Sequence, residues 1–284
     1  MTRVVVTGGS GKLGRAVVDE LLDHGYEVVN IDHAPPAAPR CPYTRIDLTD
    51  YGQTFEALSG IDARYPSVDA VVHLAAIPGP GAAANAATFA NNVTASYNVF
   101  AAARAAGITN VVWASSETLL GLPFETPPPY LPVDEEYPAR PETSYSLAKL
   151  LDETMAGQFC RWNPALKMVG LRFSNVMDPA DYASFPTFDA DARLRSWNAW
   201  SYIDSRDGAQ AVRRALEWDG VGAHVFIIAN ADSVMSRSSA ELAAEVYPDV
   251  ALTRAVGEHE TLLSIEKARR VLGYEPQHSW RSQA

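Results

Sequence analysis

The sequence predicts an α/β fold in which a doubly wound parallel sheet is joined to a small C-terminal lobe. Short apolar runs rich in β-branched residues alternate along the chain with amphipathic helical stretches. A glycine-rich segment follows the first apolar run, and the 284 residues are enough for one large core. Near-continuous apolar strands separated by helices are typical of a parallel sheet covered on both faces.

The predicted elements alternate along the chain. Strands are predicted at residues 4–6, 28–31, 71–74, 111–113, 168–171 and 225–228, with one more strand ending shortly before Asp47. Helices are predicted at residues 15–24, 55–58, 91–106, 144–159, 207–217, 239–247 and 265–272. In the first helix the apolar residues share one stripe, and Gly25 supplies its C-terminal stop.

Two segments break this alternation. Residues 121–141 contain seven prolines, and residues 178–202 are rich in aromatic side chains with little periodicity. Both are predicted to be loops of the catalytic face, because ligands of open α/β sheets bind outside the carboxyl ends of the strands.

The composition excludes several classes of protein. With 23 basic and 34 acidic residues the formal charge is −11, and there is no dense basic run, so nucleic acid is not expected as a partner. Two cysteines without CxxC spacing indicate neither a disulfide scaffold nor a thiolate zinc site. We see no signal peptide and no apolar stretch of membrane-spanning length, and therefore expect a cytoplasmic protein without a membrane partner.

The glycine-rich segment, Thr7-Gly8-Gly9-Ser10-Gly11-Lys12-Leu13-Gly14, lies between the first strand and the first helix. Its first, second and third motif glycines (Gly8, Gly11 and Gly14) allow a tight turn, close approach to a pyrophosphate and packing of the helix on the strand. The N-terminus of the helix that follows presents free N–H groups and a partial positive charge to phosphates, and Lys12 and Leu13 of this segment are also predicted to bind the cofactor. This context predicts a dinucleotide site in a Rossmann fold.

Acidic residues after the second and third strands refine this prediction. Asp32, 18 residues beyond Gly14, can accept both hydroxyls of an adenosine ribose and would repel a 2′-phosphate, which favours NAD over NADP. It could also be a solvated acid at a strand end. Asp47 and Leu48 either bracket the adenine, or Asp47 caps a helix beginning near residue 49 or 50.

These predictions divide the chain into two parts. Residues 1–171 and 204–230 form an NAD-binding Rossmann domain, and residues 172–203 and 231–284 form a small substrate-binding lobe.

Candidate catalytic groups follow later in the chain. Tyr145 and Lys149 are four residues apart, which puts both on one face of a helix. A phenol is a poor base at neutral pH, but a neighbouring cation stabilises its phenolate, and Lys149 can also hold a nicotinamide ribose. Ser115 and Ser116 end the strand before this helix, where a hydroxyl can bind a substrate oxygen.

Taken in order, several motifs resemble the extended short-chain dehydrogenase/reductase family, in its NAD-dependent epimerase/dehydratase group. They are the glycine motif, His73-Leu74-Ala75-Ala76, Asn92, Ser115-Ser116, Tyr145 with Lys149, and Leu171-Arg172-Phe173-Ser174-Asn175. The resemblance runs from Arg3 to about Pro276. It implies that Leu74, Ala75, Ala76, Asn92 and Phe173 help to bind NAD, with Phe173 and Ser174 beside the nicotinamide.

The resemblance also implies a triad of Ser116, Tyr145 and Lys149. Tyr145 would take a proton from, or give one to, a sugar hydroxyl during hydride transfer, while Ser116 orients the substrate oxygen. The assignment of Ser116 depends on its spacing from Gly121, and Ser115 remains a second candidate. Asn175 would reach the substrate, or it could simply cap a turn.

Departures from the family pattern limit the reactions and substrates that we expect. Dehydratases of the family resemble one another in a Thr-Asp-Glu run, whereas this chain has Ser116-Glu117-Thr118. Dehydration is therefore not expected, although Glu117 could still contact a substrate hydroxyl. The predicted substrate-binding lobe is short beside that of typical nucleotide-sugar epimerases, which suggests a compact sugar, sugar acid or polyol as substrate. Either Arg193 or Arg195 could bind a carboxylate or phosphate of that substrate.

Three functional hypotheses follow. The chain is an NAD-dependent sugar or sugar-acid dehydrogenase, a nucleotide-sugar epimerase with tightly bound NAD, or a non-catalytic dinucleotide-binding protein, against which the intact triad residues argue. No metal site is predicted, and His73 is interpreted as a structural imidazole beside the cofactor. The resemblance implies a homodimer formed through the alanine-rich helix around residues 95–106 and the Tyr145 helix, although alanines buried within one subunit explain that composition almost as well.

Overall fold

The computed structural model describes residues 1–61 and 64–282. Its strands are β1 Arg3–Thr7, β2 Glu27–Asp32, β3 Tyr43–Arg45, β4 Ala70–His73, β5 Asn110–Ser116, β6 Tyr130–Leu131, β7 Lys167–Phe173, β8 Val176–Met177, β9 Ile203–Asp204, β10 Gly222–Ile228 and β11 Ala251–Leu252. Its α-helices are α1 Lys12–Asp23, α2 Tyr51–Ser59, α3 Asn85–Ala105, α4 Ser144–Trp162, α5 Ser205–Glu217, α6 Ser239–Val246 and α7 Glu266–Leu272. Every predicted strand and helix overlaps one of these elements.

Seven strands form one parallel sheet in the order β10-β7-β5-β4-β1-β2-β3. The chain starts at β1 near the middle, runs outward through β2 and β3, and then returns to β4 to build the other half. The strand order thus reverses between β1 and β4, where open α/β sheets bind ligands. The predicted doubly wound α/β sheet of the Rossmann type is confirmed.

The valines of β1 explain why helices cover both faces of this sheet. Val4 and Val6 belong to a core shared with residues of α1 and α5, whereas Val5 points to the opposite core, formed with α2, α3 and α4. All three side chains are fully buried. A strand without a polar face requires helices on both sides of the sheet.

The outer edge of β10 is covered by two side chains. The backbone N–H of Ile227 donates to Glu135 (2.8 Å), and the Lys267 ammonium donates to the Val225 carbonyl (2.9 Å). These contacts satisfy polar groups that would otherwise offer a free edge to another strand.

The prediction that residues 121–141 and 178–202 are simple loops is wrong in detail. In the first segment β6 pairs in parallel with β11. The second contains short 3₁₀ helices over Pro179–Ala190, Ala192–Leu194 and Ser196–Asn198. Its aromatic side chains fill the core: Phe185, Trp200 and Tyr202 are fully buried. The turns of a 3₁₀ helix do not repeat with the α-helical period, so the hydrophobic pattern gave no signal.

The residues of the predicted lobe share a core with the sheet. Tyr182, Trp200, Leu263 and Trp280 pack in the same apolar cluster as Val4 of β1. The division into two parts therefore stays a prediction, and it includes two C-terminal residues outside the described ranges. No helix in the described ranges has the length and apolar character needed to cross a membrane.

Candidate active site

The glycine turn lies between β1 and α1, at the reversal point of the sheet. Gly8 has a φ of +71°, and a Cβ there would lie 2.6 Å from the Ala75 nitrogen. A Cβ on Gly14 would lie 2.0 Å from the Gly8 carbonyl oxygen. Helix α1 starts at Lys12, three residues earlier than predicted, and Gly14 lies inside its first turn, where the close Gly8 carbonyl leaves no room for a side chain. Its N-cap residue is Gly11, which has no side chain to bond the first turn, so that turn can offer its N–H groups to an anion.

Asp32 ends β2 directly beside this turn. Its buried carboxylate accepts hydrogen bonds from the backbone N–H groups of Ser10 (3.1 Å) and Ala34 (3.2 Å). The imidazole of His33 lies 3.0 Å away and is itself exposed. The carboxylate is thus held at the mouth of the glycine turn, as expected of a group that receives ribose hydroxyls.

Lys12 reaches away from the glycine turn. Its ammonium forms an ion pair with Asp181 (2.7 Å), which also accepts a hydrogen bond from the Asp178 backbone. The first turn of α1 is thereby tied to the 3₁₀ segment that follows β8. No pattern in the sequence indicated this pair.

Asp47 and Leu48 follow β3. The Asp47 carboxylate accepts hydrogen bonds from the backbone (2.9 Å) and hydroxyl (2.7 Å) of Thr49, whereas Asp50 is the residue that caps α2 through Gln53. The interpretation of Asp47 as the helix cap is therefore wrong, because α2 begins one residue later than anticipated. The side chain of Leu48 is buried.

The segment after β4 is held by polar side chains. The backbone N–H of Ala75 donates to the Thr7 hydroxyl (3.1 Å). Asn92 both accepts from the backbone N–H of Ile77 (2.8 Å) and donates to its carbonyl (3.1 Å). Asn92 thus fixes the path of the chain that includes Leu74, Ala75 and Ala76, next to the glycine turn.

Tyr145 and Lys149 lie in the first two turns of α4. Thr143 caps this helix by accepting from the Ser146 backbone N–H (3.1 Å). The buried Lys149 ammonium donates to the Ala114 carbonyl of β5 (2.7 Å) and lies 6.0 Å from the centroid of the Tyr145 ring. No described residue hydrogen-bonds the Tyr145 hydroxyl. The two groups are therefore neighbours on this helix, as predicted, and Lys149 contacts β5 at Ala114.

Ser115 and Ser116 point to different partners, because side chains alternate along a strand. Ser115 donates to Glu153 (2.6 Å), which is also bound by both ends of the Arg172 guanidinium fork (2.9 and 2.8 Å). Ser116 instead accepts from the backbone (3.1 Å) and the hydroxyl (2.9 Å) of Thr118. The hydroxyl proton of Ser116 is left to donate elsewhere, which favours Ser116 over Ser115 as a substrate-binding group.

Glu117 is buried directly after this serine. It accepts a hydrogen bond from the Asn198 amide (3.2 Å), and its other carboxyl oxygen has no partner in the described part of the chain. Burial raises the pKa of Glu117 to about 7, although Ser174, Asn198 and Arg195 act in the opposite direction. A carboxyl group of this kind changes charge near neutral pH.

The two arginines proposed to grip a substrate anion differ. The Arg195 guanidinium is buried between the rings of Phe188 (5.3 Å) and Trp197 (4.9 Å) and donates to the Ser201 carbonyl (3.0 Å). Burial lowers the pKa of Arg195, and Glu117 opposes this. Arg195 is thus a buried residue that packs within the protein, whereas the side chain of Arg193 is exposed.

The end of β7 and the residues that follow it contact α5 and β9. Phe173 is buried against the helix position of Gly208, and the Asn175 carbonyl accepts from the Ile203 backbone (3.0 Å). No hydrogen bond of the Asn175 side chain occurs among the described residues, so its amide is not used to cap a turn. In the same described ranges, no group of three His, Cys, Asp or Glu side chains is arranged to hold a metal ion.

Sequence reasoning missed three residues near this site. Asp152 lies one helical turn beyond Lys149, and the i,i+3 spacing could have indicated it. Asn198 and Asp181 contact Glu117 and Lys12 across long sequence separations, and no local pattern could have indicated them.

Comparison with known proteins gives a matching family model and several similar sequences. A model of the NAD dependent epimerase/dehydratase family matches residues 4–229. The chain is 31% identical to UDP-glucose 4-epimerase of Mus musculus over 191 residues, which cover 62% of this chain and 54% of that enzyme. It thus spans about half the length of that relative. It is 29% identical to L-arabinose 1-dehydrogenase (NAD(P)(+)) of Haloferax volcanii, covering 76% of this chain and 83% of that enzyme.

Solved structures agree with this assignment. A short-chain dehydrogenase/reductase superfamily protein from Agrobacterium tumefaciens with bound NAD superposes with a TM-score of 0.74 at 25% identity. The superposition covers 98% of this chain and 94% of that protein.

Proposed function

The chain belongs to the NAD dependent epimerase/dehydratase family, an enzyme family, and from this premise we propose that it is an NAD-dependent oxidoreductase acting on a hydroxyl or keto group of a sugar or sugar acid. The observation that carries the proposal is the placement of Lys149 beneath the Tyr145 ring, where its ammonium is fixed to the end of β5. This end of the sheet also carries Ser116 and adjoins the glycine turn.

The glycine turn fits the diphosphate of NAD. Side chains at Gly8 and Gly14 would collide with backbone atoms, so this tight turn needs glycine, and the uncapped start of α1 suits an anion. Asp32 would receive the adenosine ribose, and Lys149 the nicotinamide ribose. Bound NAD supplies the acceptor or donor of a two-electron hydride.

Side chains of the protein would transfer the proton that accompanies the hydride. When a secondary alcohol is oxidised to a ketone, Tyr145 in its phenolate form accepts the hydroxyl proton as the C–H hydride passes to the nicotinamide, and in the reverse direction the neutral phenol returns that proton. The positive charge of Lys149 stabilises negative charge that develops on the phenol. Ser116 donates its remaining hydroxyl proton to the substrate oxygen, because its lone pairs already accept from Thr118.

A nucleotide-sugar epimerase with tightly bound NAD is the second candidate. The similarity to a mouse UDP-glucose 4-epimerase favours it, whereas the similarity to an archaeal L-arabinose 1-dehydrogenase favours the first. The same three residues serve both reactions. An epimerase would return the hydride to the opposite face of the keto intermediate, so NADH would not accumulate.

Substrate contacts belong to the same proposal. We assign Asn175 and the exposed Arg193 to the substrate, while Arg195 and Glu117 shape the wall of the site from within the protein. A guanidinium fork at Arg193 would bind a carboxylate or phosphate in bidentate fashion. An Arg193→Ala variant would then raise the KM of an acidic sugar and leave that of a neutral sugar unchanged.

We further propose a cytoplasmic homodimer built on α3 and α4. Ala95, Ala102 and Ala103 of the alanine-rich helix are buried within the subunit, but Tyr97 and Trp162 are about half exposed (50% and 49%) on the outer face of these helices. Aromatic side chains of this kind are typical of interfaces. Sedimentation of Tyr97→Arg as a monomer and of the wild type as a dimer would support this arrangement.

One experiment separates the candidate functions. The purified protein is assayed for retained NAD and then given NAD with a panel of free sugars, sugar acids and nucleotide sugars. Stoichiometric NADH with a free sugar or sugar acid supports the dehydrogenase, and an isomerised nucleotide sugar without net reduction supports the epimerase. Neither reaction with any compound, together with no NAD binding, would reject both.

A further inference from the structure

A carboxylate lies buried beneath Lys149. Asp152 follows Lys149 by three residues on α4, and its side chain is completely buried. One carboxyl oxygen is 3.5 Å from the Lys149 ammonium, and the other has no hydrogen-bond partner among the described residues. Within 4 Å of this ammonium, the described part of the chain offers no other carboxylate.

Folding alone does not explain this carboxylate. Removing two charges from water costs free energy that their attraction repays only in favourable geometry, and an apolar residue commonly serves a helix core as well. Burial raises the pKa of Asp152 to about 6, although Lys149 and Ser96 act in the opposite direction. The carboxylate is therefore ionised at neutral pH at a cost, which indicates a role beyond packing.

A chain of buried polar groups leads to Asp152 from the cofactor side. The Ala75 backbone N–H donates to the Thr7 hydroxyl (3.1 Å), which lies 2.8 Å from His73 Nδ1. His73 Nε2 lies 3.2 Å from the Ser96 hydroxyl. Burial lowers the pKa of His73 to about 3, so the imidazole is neutral and one ring nitrogen must accept.

These contacts define one direction of donation that satisfies each group. Thr7 donates its hydroxyl proton to His73 Nδ1, and His73 donates from Nε2 to Ser96. The hydroxyl proton of Ser96 is not used in these contacts, and Ser96 acts to lower the pKa of Asp152. Buried polar groups therefore extend from the segment beside the glycine turn to Ser96, which acts on the charge of Asp152.

We propose that Asp152 is a positioning residue for Lys149, whose ammonium it keeps charged and fixed between the Ala114 carbonyl and the Tyr145 ring. The proposal rests on the proposed function of Lys149. The ionisable groups that face Asp152 are Lys149 and Glu153 on its own helix, and His73 of β4 through Ser96 of α3. Without the carboxylate, only the Ala114 carbonyl would compensate the buried ammonium.

The test is an NMR titration of the lysine side chains. The chain has four lysines, so ¹³C-labelled lysine gives few signals, and a Lys149→Met variant assigns one of them. In Asp152→Asn, we expect the titration midpoint of Lys149 to fall by about one pH unit or more, the size typical of an opposite charge removed at this distance. Thr154→Ala, on the exposed face of the same helix, should leave it unchanged.

Three further measurements keep the proposal testable if Asp152→Asn does not fold. In the wild type, the Lys149 signal should report a second step near pH 6 as Asp152 takes up a proton. In Ser96→Ala this step should move to higher pH, because the hydroxyl that holds the pKa of Asp152 down has been removed. Asp152→Glu should keep the Lys149 midpoint near that of the wild type.

Failure of this proposal differs from failure of the proposed function. An unchanged Lys149 midpoint in folded Asp152→Asn would overturn the role of Asp152 even in an active enzyme, as would a wild-type Lys149 signal with no acidic step at any pH at which the protein stays folded. Absence of sugar turnover by the wild type would instead reject the proposed function, and the titration would still decide whether Asp152 holds Lys149.

Discussion

Replacement of Glu117 by glutamine tests the electrostatics of the site wall. The substitution exchanges a buried carboxyl for an amide of nearly the same shape. Burial raises the pKa of Glu117 from 4.5 to about 7. The unfolded chain therefore loses this proton about 2.5 pH units before the folded chain does, and at about 1.4 kcal/mol per pH unit the difference is about 3 kcal/mol.

The raised pKa of Glu117 makes its contribution to stability fall as the pH rises. Because the folded protein holds the proton more tightly, the contribution of Glu117 to stability is present below pH 4.5 and is lost as the pH rises to about 7. Glu117→Gln lacks this loss. The difference in free energy of unfolding between Glu117→Gln and the wild type should therefore increase by about 3 kcal/mol, in favour of the variant, as the pH rises from 4.5 to 7.5.

The assay is urea unfolding of both proteins at half-unit steps from pH 4.5 to 8. Glu125→Gln serves as the control, because Glu125 is exposed and carries the same formal charge. The control should follow the wild type at every pH. Parallel stability curves for the wild type and Glu117→Gln would refute the argument that burial, rather than the polar neighbours, controls this carboxyl.

Three further predictions concern the nucleotide end of the site. Gly8→Ala places a Cβ 2.6 Å from the Ala75 nitrogen at a φ of +71°, so the Kd for NAD measured by calorimetry should rise at least about tenfold; an unchanged Kd would show that the turn tolerates a side chain. Asp32→Asn should weaken NAD by about tenfold and reduce the discrimination against NADP, and unaltered preference in parallel titrations would contradict the ribose assignment. Asp181→Asn breaks an exposed ion pair with Lys12 and should change the free energy of unfolding by less than about 1 kcal/mol; a larger loss in urea would indicate that the 3₁₀ segment depends on it.

The sheet and the nucleotide turn could be predicted because their signals are local. The three valines of β1 are buried on both faces, and a run without polar alternation indicates such a strand. Gly8 and Gly14 are required by contacts inside their own turn or with the neighbouring strand end. The pairing of Tyr145 with Lys149 likewise follows from helical spacing alone.

The remainder depends on contacts between distant parts of the chain. Lys12 and Asp181 are 169 positions apart, and the sequence around either one does not indicate the other. The sequence offers Arg193 or Arg195 as the group that binds a substrate anion, and only the folded protein distinguishes them, because the rings of Phe188 and Trp197 enclose the Arg195 guanidinium. Spacing identifies which residues can be neighbours, whereas burial, which decides their role, is set by tertiary packing.

The most direct test of the central claim is Tyr145→Phe, which removes one oxygen and keeps the ring over Lys149. Sugar turnover is measured with the substrate found in the panel, and NAD binding by calorimetry, with Tyr26→Phe at the opposite end of the sheet as a control. We expect kcat to fall at least about a hundredfold, in the range typical of a lost general base, while the Kd for NAD stays within about threefold of the wild type. Turnover equal to that of the wild type would contradict the assignment of Tyr145 as the proton-transferring group.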